Sequence, residues 1–425
     1  MSLTKKPVTG MKDILPEEMR IRDYCISVIE KTYESFGFSH IETPCVEHVE
    51  NLCSNQGGEN EKLIFKVLKR GEKLNLETAT SENDLVDSGL RYDLTLPLAR
   101  YYSNNQAVLP QPFKALQMGN VFRAERPQKG RFRQFMQCDL DILGESGNLA
   151  EIELILATTT LLSKLGFNGF KVKINDRRIL KAMSEYAGFD SERIDEVFVI
   201  LDKMDKIGID GVREELVNAG FDSSIVDKYM SLFEGMDSLN NATFKEQLNY
   251  LTDKLSGCIE DGVTENLKEI FASVEAAKSA DCNLAFDPTL VRGMGYYTGT
   301  IYEVEMAELN CSVAGGGRYD KMIGKFTGND TAACGFSIGF ERIITIMLEK
   351  GFKIPGESEK IAFLVEKGIT GDRMGEIINE ADKLRNDGKV VLVARMNKNK
   401  KFQKETLMKQ GFEEFKDFYA EALKH

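Results

Sequence analysis

The sequence predicts an α+β fold: an antiparallel sheet flanked by helices, interrupted by a helical insertion and followed by a small C-terminal α/β unit. Three observations predict it. Residues 60–145 run as short strand-like segments and turns. From 177 to about 284 the pattern is helical, as in "RIDEVFVILDKMDKIG" and "NLKEIFASVEAAKS", before strand-rich chain resumes at "CNLAFDPTLVRGMGYYTGTIYEVEM". Beyond the linker "FKIPGESEK", the segments "IAFLVEKG" and "KVVLVARM" alternate with helices near 371–387 and 400–410.

Taken in order, apolar residues at Ile21, Tyr24, Cys25, Val28, Thr32 and Phe36 fall at helical spacing and stop at Gly37. "FSHIETPCVEHVE" reads as a strand ending near Pro44, and "EKLIFKVLKRGEKLNL" as a hairpin around Arg70-Gly71. "KALQMGNVFRAE" and "FRQFMQCDLDILG" form two antiparallel strands joined by "RPQKGR". "NLAEIELILATTTLLSKL" is a helix, "FKVKIND" a strand, and "ERIITIMLEKG" a closing helix. A chain of 425 residues exceeds one ordinary core, and the pattern divides it into 1–174 and 285–352 as two parts of a sheet domain, 175–284 as the helical insertion, and 358–425 as the α/β unit.

The net charge of −12 excludes a general nucleic-acid coat or a polybasic membrane anchor. Residues 361–425 carry 13 Lys and Arg against 11 Asp and Glu, so the acid excess lies in the rest of the chain. Eight scattered cysteines without a CxxC pair, and three histidines, indicate neither a disulfide framework nor a zinc site. With no apolar leader and no membrane-spanning run, the sequence suits a reducing cytoplasm.

Chemistry concentrates in a few stretches. "FRAERPQKGRFRQFMQ" places Arg123, Arg126, Lys129, Arg131 and Arg133 on a hairpin beside Phe135 and Gln137. Convergent arginines hold a triphosphate and an aromatic ring stacks on a base, whereas the plainer reading is a solvated basic hairpin. In "LVRGMGYYTGTIYE", Arg292, Tyr296 and Tyr297 read either as groups aimed into a pocket or as a core strand with an edge arginine; the glycine spacing and strand-like flanks do not make a dinucleotide fingerprint. The three glycines of "AGGGRYD" permit close approach of a ligand or mark an ordinary turn. Asp93 and Thr95 are ligand groups or a capped turn, and Arg342, on the first turn of an apolar helix, needs an anion or a surface carboxylate.

Four signatures in order, "FRAERPQKGRFRQF", "LVRGMGYYTG", "AGGGRYD" and "GFSIGFERI", resemble the class II aminoacyl-tRNA synthetases and, within them, the histidyl-tRNA synthetases, over roughly residues 8–350. The resemblance implies a class II synthetase-like sheet as catalytic domain and histidine-tRNA ligase activity. L-Histidine, ATP with Mg²⁺, and tRNA(His) are the implied substrates and partners. It implies Arg292 and Arg123 as catalytic residues, and ATP binding by Arg123, Glu125, Arg131, Phe135 and Arg342, with no metal held by protein ligands alone. Histidine falls to Asp93, Thr95, Gln137, Asp141, Tyr296 and Tyr297, and the tRNA acceptor end to Gln128 and Lys129. The resemblance also implies a homodimer, through the segment at Pro44, and an abbreviated anticodon-binding-like domain at residues 358–425. Gly295 stands where the family commonly has aspartate. The alternative is a non-catalytic relative, the histidine-sensing regulatory subunit of ATP phosphoribosyltransferase, which usually loses the "ERPQKGR" loop that is present here.

Overall fold

The computed structural model describes residues 3–53, 60–127, 132–237, 242–293, 295–306 and 311–420. The chain divides into two compact units, Met1–Lys12 with Ile26–Ile346, and Asp13–Cys25 with Met347–His425.

The larger unit is built on an eight-stranded sheet. From one edge to the other its strands are Ser39–Ile41, Phe113–Phe122, Gln134–Leu143, Ala333–Ile338, Cys311–Arg318, Thr300–Met306, Phe170–Asp176 and Cys282–Phe286. The six inner strands pair antiparallel, as the sequence predicts, while each edge strand pairs parallel with its neighbour. Parallel neighbours cannot be joined by a tight turn and need a long crossover. Between Phe170–Asp176 and Cys282–Phe286 that crossover holds six α-helices among the described residues, from Arg177–Ala187 to Val263–Ala277. They bury apolar positions of their own, Val212, Tyr229, Leu248 and Leu267 each being fully buried.

The hairpin is the longest pairing, from Phe113 opposite Leu143 to Phe122 opposite Gln134. Strand alternation sends Cys138, Leu140 and Ile142 to a fully buried face and leaves Gln137, Asp139 and Asp141 together on the other.

One expectation fails. Lys66–Leu68 does not fold back around Arg70-Gly71; it pairs antiparallel with Val86–Leu90, and Gly71–Lys73 is a single 3-10 turn. The returning "EKLNL" has little to bury, Leu76 being 70% exposed, whereas Val86 is buried. At Gly89, an added Cβ would lie 2.9 Å from both Ile64 and Leu52, so glycine lets these two side chains pack on the strand.

The smaller unit contains a three-stranded parallel sheet, ordered Val390–Arg395, Lys360–Val365, Glu414–Phe418, with helices Gly371–Asn386 and Lys400–Lys409. Its central strand is buried on both sides, Ile361, Phe363 and Val365 packing one way and Ala362 and Leu364 the other. That is why its sequence is a continuous apolar run rather than an alternating one. Among the described residues no helix is long and apolar enough to cross a membrane.

Candidate functional site

The polar face of the large sheet carries one continuous row. Gln117, Asp139, Ser337, Gly315, Glu303 and Lys173 are successive cross-strand neighbours over six strands. From Asp139 to Lys173 the row forms the floor of a cleft of about 870 Å³, whose lining includes Asp93, Thr95, Arg123, Glu125, Phe135, Gln137, Arg292, Tyr296, Tyr297 and Arg342. These sequence-predicted residues come from five separate stretches of chain, which the sheet brings together. Asp141 lies in a small adjoining recess with Tyr319 and Gly335, which shares Thr95, Asp139, Tyr296 and Tyr297 with the cleft. Gln128, Lys129 and Arg131 lie outside the described residues.

The basic hairpin residues have separate fates. The Arg123 guanidinium donates to the Tyr92 carbonyl at 3.0 Å and lies 5.1 Å over the Phe135 ring. Arg133 fastens the hairpin backbone, donating from its backbone N–H to Gly10 and from Nε to the Glu125 carbonyl. Arg126 is exposed. The hairpin is therefore neither wholly solvated nor wholly aimed at a ligand.

Arg292 reaches the floor from the irregular segment after Val291, where Nη1 donates to Glu303 Oε2 at 2.7 Å. A Cβ at Gly315 would lie 2.5 Å from the same nitrogen, so the glycine is the space the guanidinium occupies. "AGGGRYD" is thus a strand, not a turn, and its glycines serve close approach. Gly316 faces the Gly335 carbonyl, which an added Cβ would meet at 2.0 Å. Arg342, on the first turn of helix Phe340–Glu349, donates to the Ser312 carbonyl, and the neighbouring Glu341 accepts from the Met136 N–H at 3.2 Å.

The other end of the cleft is rich in acceptors. Asp93 caps helix Thr95–Asn105, accepting from the Leu96 N–H at 3.2 Å, so the capping and ligand readings are both open to it. Asp93 Oδ2, Gln137 Oε1 and Asp141 Oδ2 are buried without a hydrogen-bond partner among the described residues. Asp141 Oδ1 accepts from the Tyr319 hydroxyl at 2.5 Å, in room that only glycine at 335 leaves. Burial pushes the Asp93 carboxyl up to about 6 and the Asp139 carboxyl up to about 7. Burial also raises the Asp141 carboxyl, the neighbouring Asp139 adding to it. Such acceptors suit a ligand that brings N–H donors or positive charge.

Sequence reading missed Asp139, Ser337, Glu303 and Tyr319. Asp139 was detectable, because it sits between Gln137 and Asp141 on one strand face. The others carry no local signal; Tyr319 meets Asp141 across 178 residues of chain.

A sheet with an antiparallel centre and a basic hairpin entering a cleft on its polar face is the architecture of class II aminoacyl-tRNA synthetases. The model of the histidyl-tRNA synthetase family matches residues 10–343. The histidine–tRNA ligase of Leifsonia xyli subsp. xyli is 43% identical over 345 residues, covering 80% of each chain. By these measures the chain belongs to the histidyl-tRNA synthetase family. The crystal structure of histidyl-tRNA synthetase from Nostoc sp. PCC 7120 superposes with a TM-score of 0.78 at 26% identity, covering 97% of this chain and 90% of that one. A structure from Bacillus halodurans C, described as an ATP phosphoribosyltransferase regulatory subunit/histidyl-tRNA synthetase, superposes with a TM-score of 0.76, covering 99% of this chain and all of that one; at 21% identity it shares the fold.

Proposed function

We infer that this chain is a histidine–tRNA ligase, joining histidine to AMP at the expense of ATP and passing the histidyl group to tRNA(His). One juxtaposition carries the reading: a single cleft holds a glycine-cradled arginine at one end and orphaned, buried acceptors at the other. The acceptor end suits the ammonium and imidazole N–H groups of histidine, with Asp93, Thr95 and Gln137 at the first and Asp141, Tyr296 and Tyr297 at the second. The arginine end suits a triphosphate, with Phe135 stacking on adenine, Arg342 on its other face and Glu125 reading its edge. Arg123 takes the α-phosphate, Arg131 and Arg342 the distal phosphates, and Mg²⁺ arrives with ATP as part of the substrate.

In the first step a histidine carboxylate oxygen attacks the α-phosphorus and the bond to pyrophosphate breaks. Charge grows on the equatorial oxygens in the transition state, so a fixed guanidinium there lowers the barrier more than it tightens binding. Arg292, held by Glu303, fills that role, and Arg123 assists. In the second step a 3′-terminal ribose hydroxyl of the tRNA attacks the histidyl carbonyl and AMP leaves. Gln128 and Lys129 are assigned to the tRNA acceptor end, residues 1–174 and 285–352 to catalysis, and a homodimer to the working form.

The test is ATP–pyrophosphate exchange with each of several amino acids, followed by charging of total tRNA. Exchange with histidine alone is expected. Histidine binding without exchange would overturn the ligase reading and favour a histidine-sensing regulatory subunit.

A further inference from the structure

We propose that Asp139 is a specificity-determining residue of the amino-acid end, a second carboxylate that, with Asp93, requires the substrate to carry a cationic α-ammonium. The proposal rests on the histidine reading above.

Its placement is the first argument. Asp139 is 4% exposed, occupies the floor row between Gln117 and Ser337, and lines both the cleft and the recess. On its strand it stands between Gln137, at the ammonium end, and Asp141, at the ring end. A substrate spanning the two passes over it.

The hydrogen bonds give the second argument. Ser337 Oγ donates to Asp139 Oδ1 at 2.5 Å, and Gln137 Nε2 donates to the same hydroxyl at 3.3 Å. Gln117 directs its amide N–H to the Leu94 carbonyl and accepts from Thr43, so its bonds point away from Asp139. Gln137 Oε1 and Asp93 Oδ2 remain buried and unpartnered nearby. The group is ordered by one serine proton and is otherwise short of donors, the lack an ammonium with three N–H bonds supplies.

Charge sets the direction of the accompanying proton movement. Besides Ser337, the groups acting on Asp139 are Asp93, which opposes its ionisation, and Arg123 and Arg91, which favour it. It in turn acts on Asp141, Tyr297 and the buried Cys138 thiol. Both arginines also have backbone partners, Arg123 at Tyr92 and Arg91 at Thr43 and Asn120. Burial dominates and leaves the carboxyl of the free site titrating at about 7. When the ammonium enters, the ionised form is favoured: one cation is taken up and part of a proton is released to solvent. As pH rises through neutrality histidine affinity therefore rises.

The test compares the wild-type chain with Asp139→Asn and Ser337→Ala, using histidine and imidazole-lactate, which replaces the ammonium by a hydroxyl. Calorimetry in buffers of different ionisation enthalpy counts the protons, and exchange kinetics give KM and the inhibition constant of imidazole-lactate. Expected for Asp139→Asn is a histidine KM raised roughly tenfold with imidazole-lactate inhibition unchanged, as for loss of one charge-assisted hydrogen bond. Its proton release on histidine binding is expected to fall to the share that Asp93 contributes. Removing the serine donor in Ser337→Ala raises the proton affinity of Asp139, and the break in the pH dependence of KM moves upward. Histidine-dependent exchange in the wild type with unchanged histidine-over-lactate preference in Asp139→Asn, or an unmoved pH break in Ser337→Ala, overturns the proposal alone. Absence of histidine-dependent exchange in the wild type overturns the ligase reading, and this proposal with it.

Discussion

Arg292 stands over Gly315 at one end of the cleft, and its partners define what its removal does. Glu303 and the space above Gly315 fix its guanidinium, so in the reaction proposed above its contribution falls mainly on the charged transition state. Arg292→Ala is expected to lower kcat for adenylate formation by about 10² or more, with a smaller change in histidine KM. Equal losses in both, measured by exchange kinetics, would remove it from that role. At this scale the sequence was informative about residue types and silent about partners. Arginine, phenylalanine and the paired tyrosines stood out against apolar strands, whereas Glu303 reads as one more polar position in "IYEVEM". Its meaning comes only from the strand register that sets it opposite Gly315.

Among the elements, the glycine strand Cys311–Arg318 separates packing from chemistry within two neighbouring positions. At Gly315 an added methyl meets the far end of a flexible side chain, so Gly315→Ala folds but displaces Arg292. Its thermal midpoint is expected to stay near wild type while the exchange rate falls roughly tenfold or more. At Gly316 the same methyl meets backbone at 2.0 Å, so Gly316→Ala pries apart two strands. A loss of roughly 3 kcal/mol or more is expected there. Comparable midpoints for the two variants would show that Gly316 is not a packing constraint. The hairpin, the helical stretch and the α/β alternation were legible because their periodicity is strong. The mispairing assigned around Arg70-Gly71 was not avoidable locally, since the true partner of Lys66–Leu68 begins 18 residues further on at Val86.

Over the whole molecule, buried carboxylates tie stability to pH. Asp93 and Asp139 have folded-state values of about 6 and about 7, above the ordinary carboxylate value of 3.8, so between those limits the folded chain holds more protons than the unfolded chain. Their contribution to stability is therefore full below about 4 and lost as pH rises through about 6 to 7. Denaturant midpoints of the ligand-free protein are expected to fall from pH 5 to pH 8 more steeply than those of an Asp93→Asn/Asp139→Asn double variant. Parallel profiles would dissociate these groups from the pH dependence. Histidine, by supplying the missing cation, is expected to raise the midpoint more at pH 8 than at pH 5.

The order of strands in the large sheet has a consequence for synthesis. Gln134–Leu143 and Phe170–Asp176 leave the ribosome early, yet they are joined only through three strands that lie between residues 300 and 338. Until residue 338 emerges, the nascent chain holds two pieces of sheet with open edges that have no partner in the same chain. Open edges recruit foreign strands, so this fold places a long interval of exposure on translation itself and makes a prematurely released chain a substrate for chaperones or for aggregation.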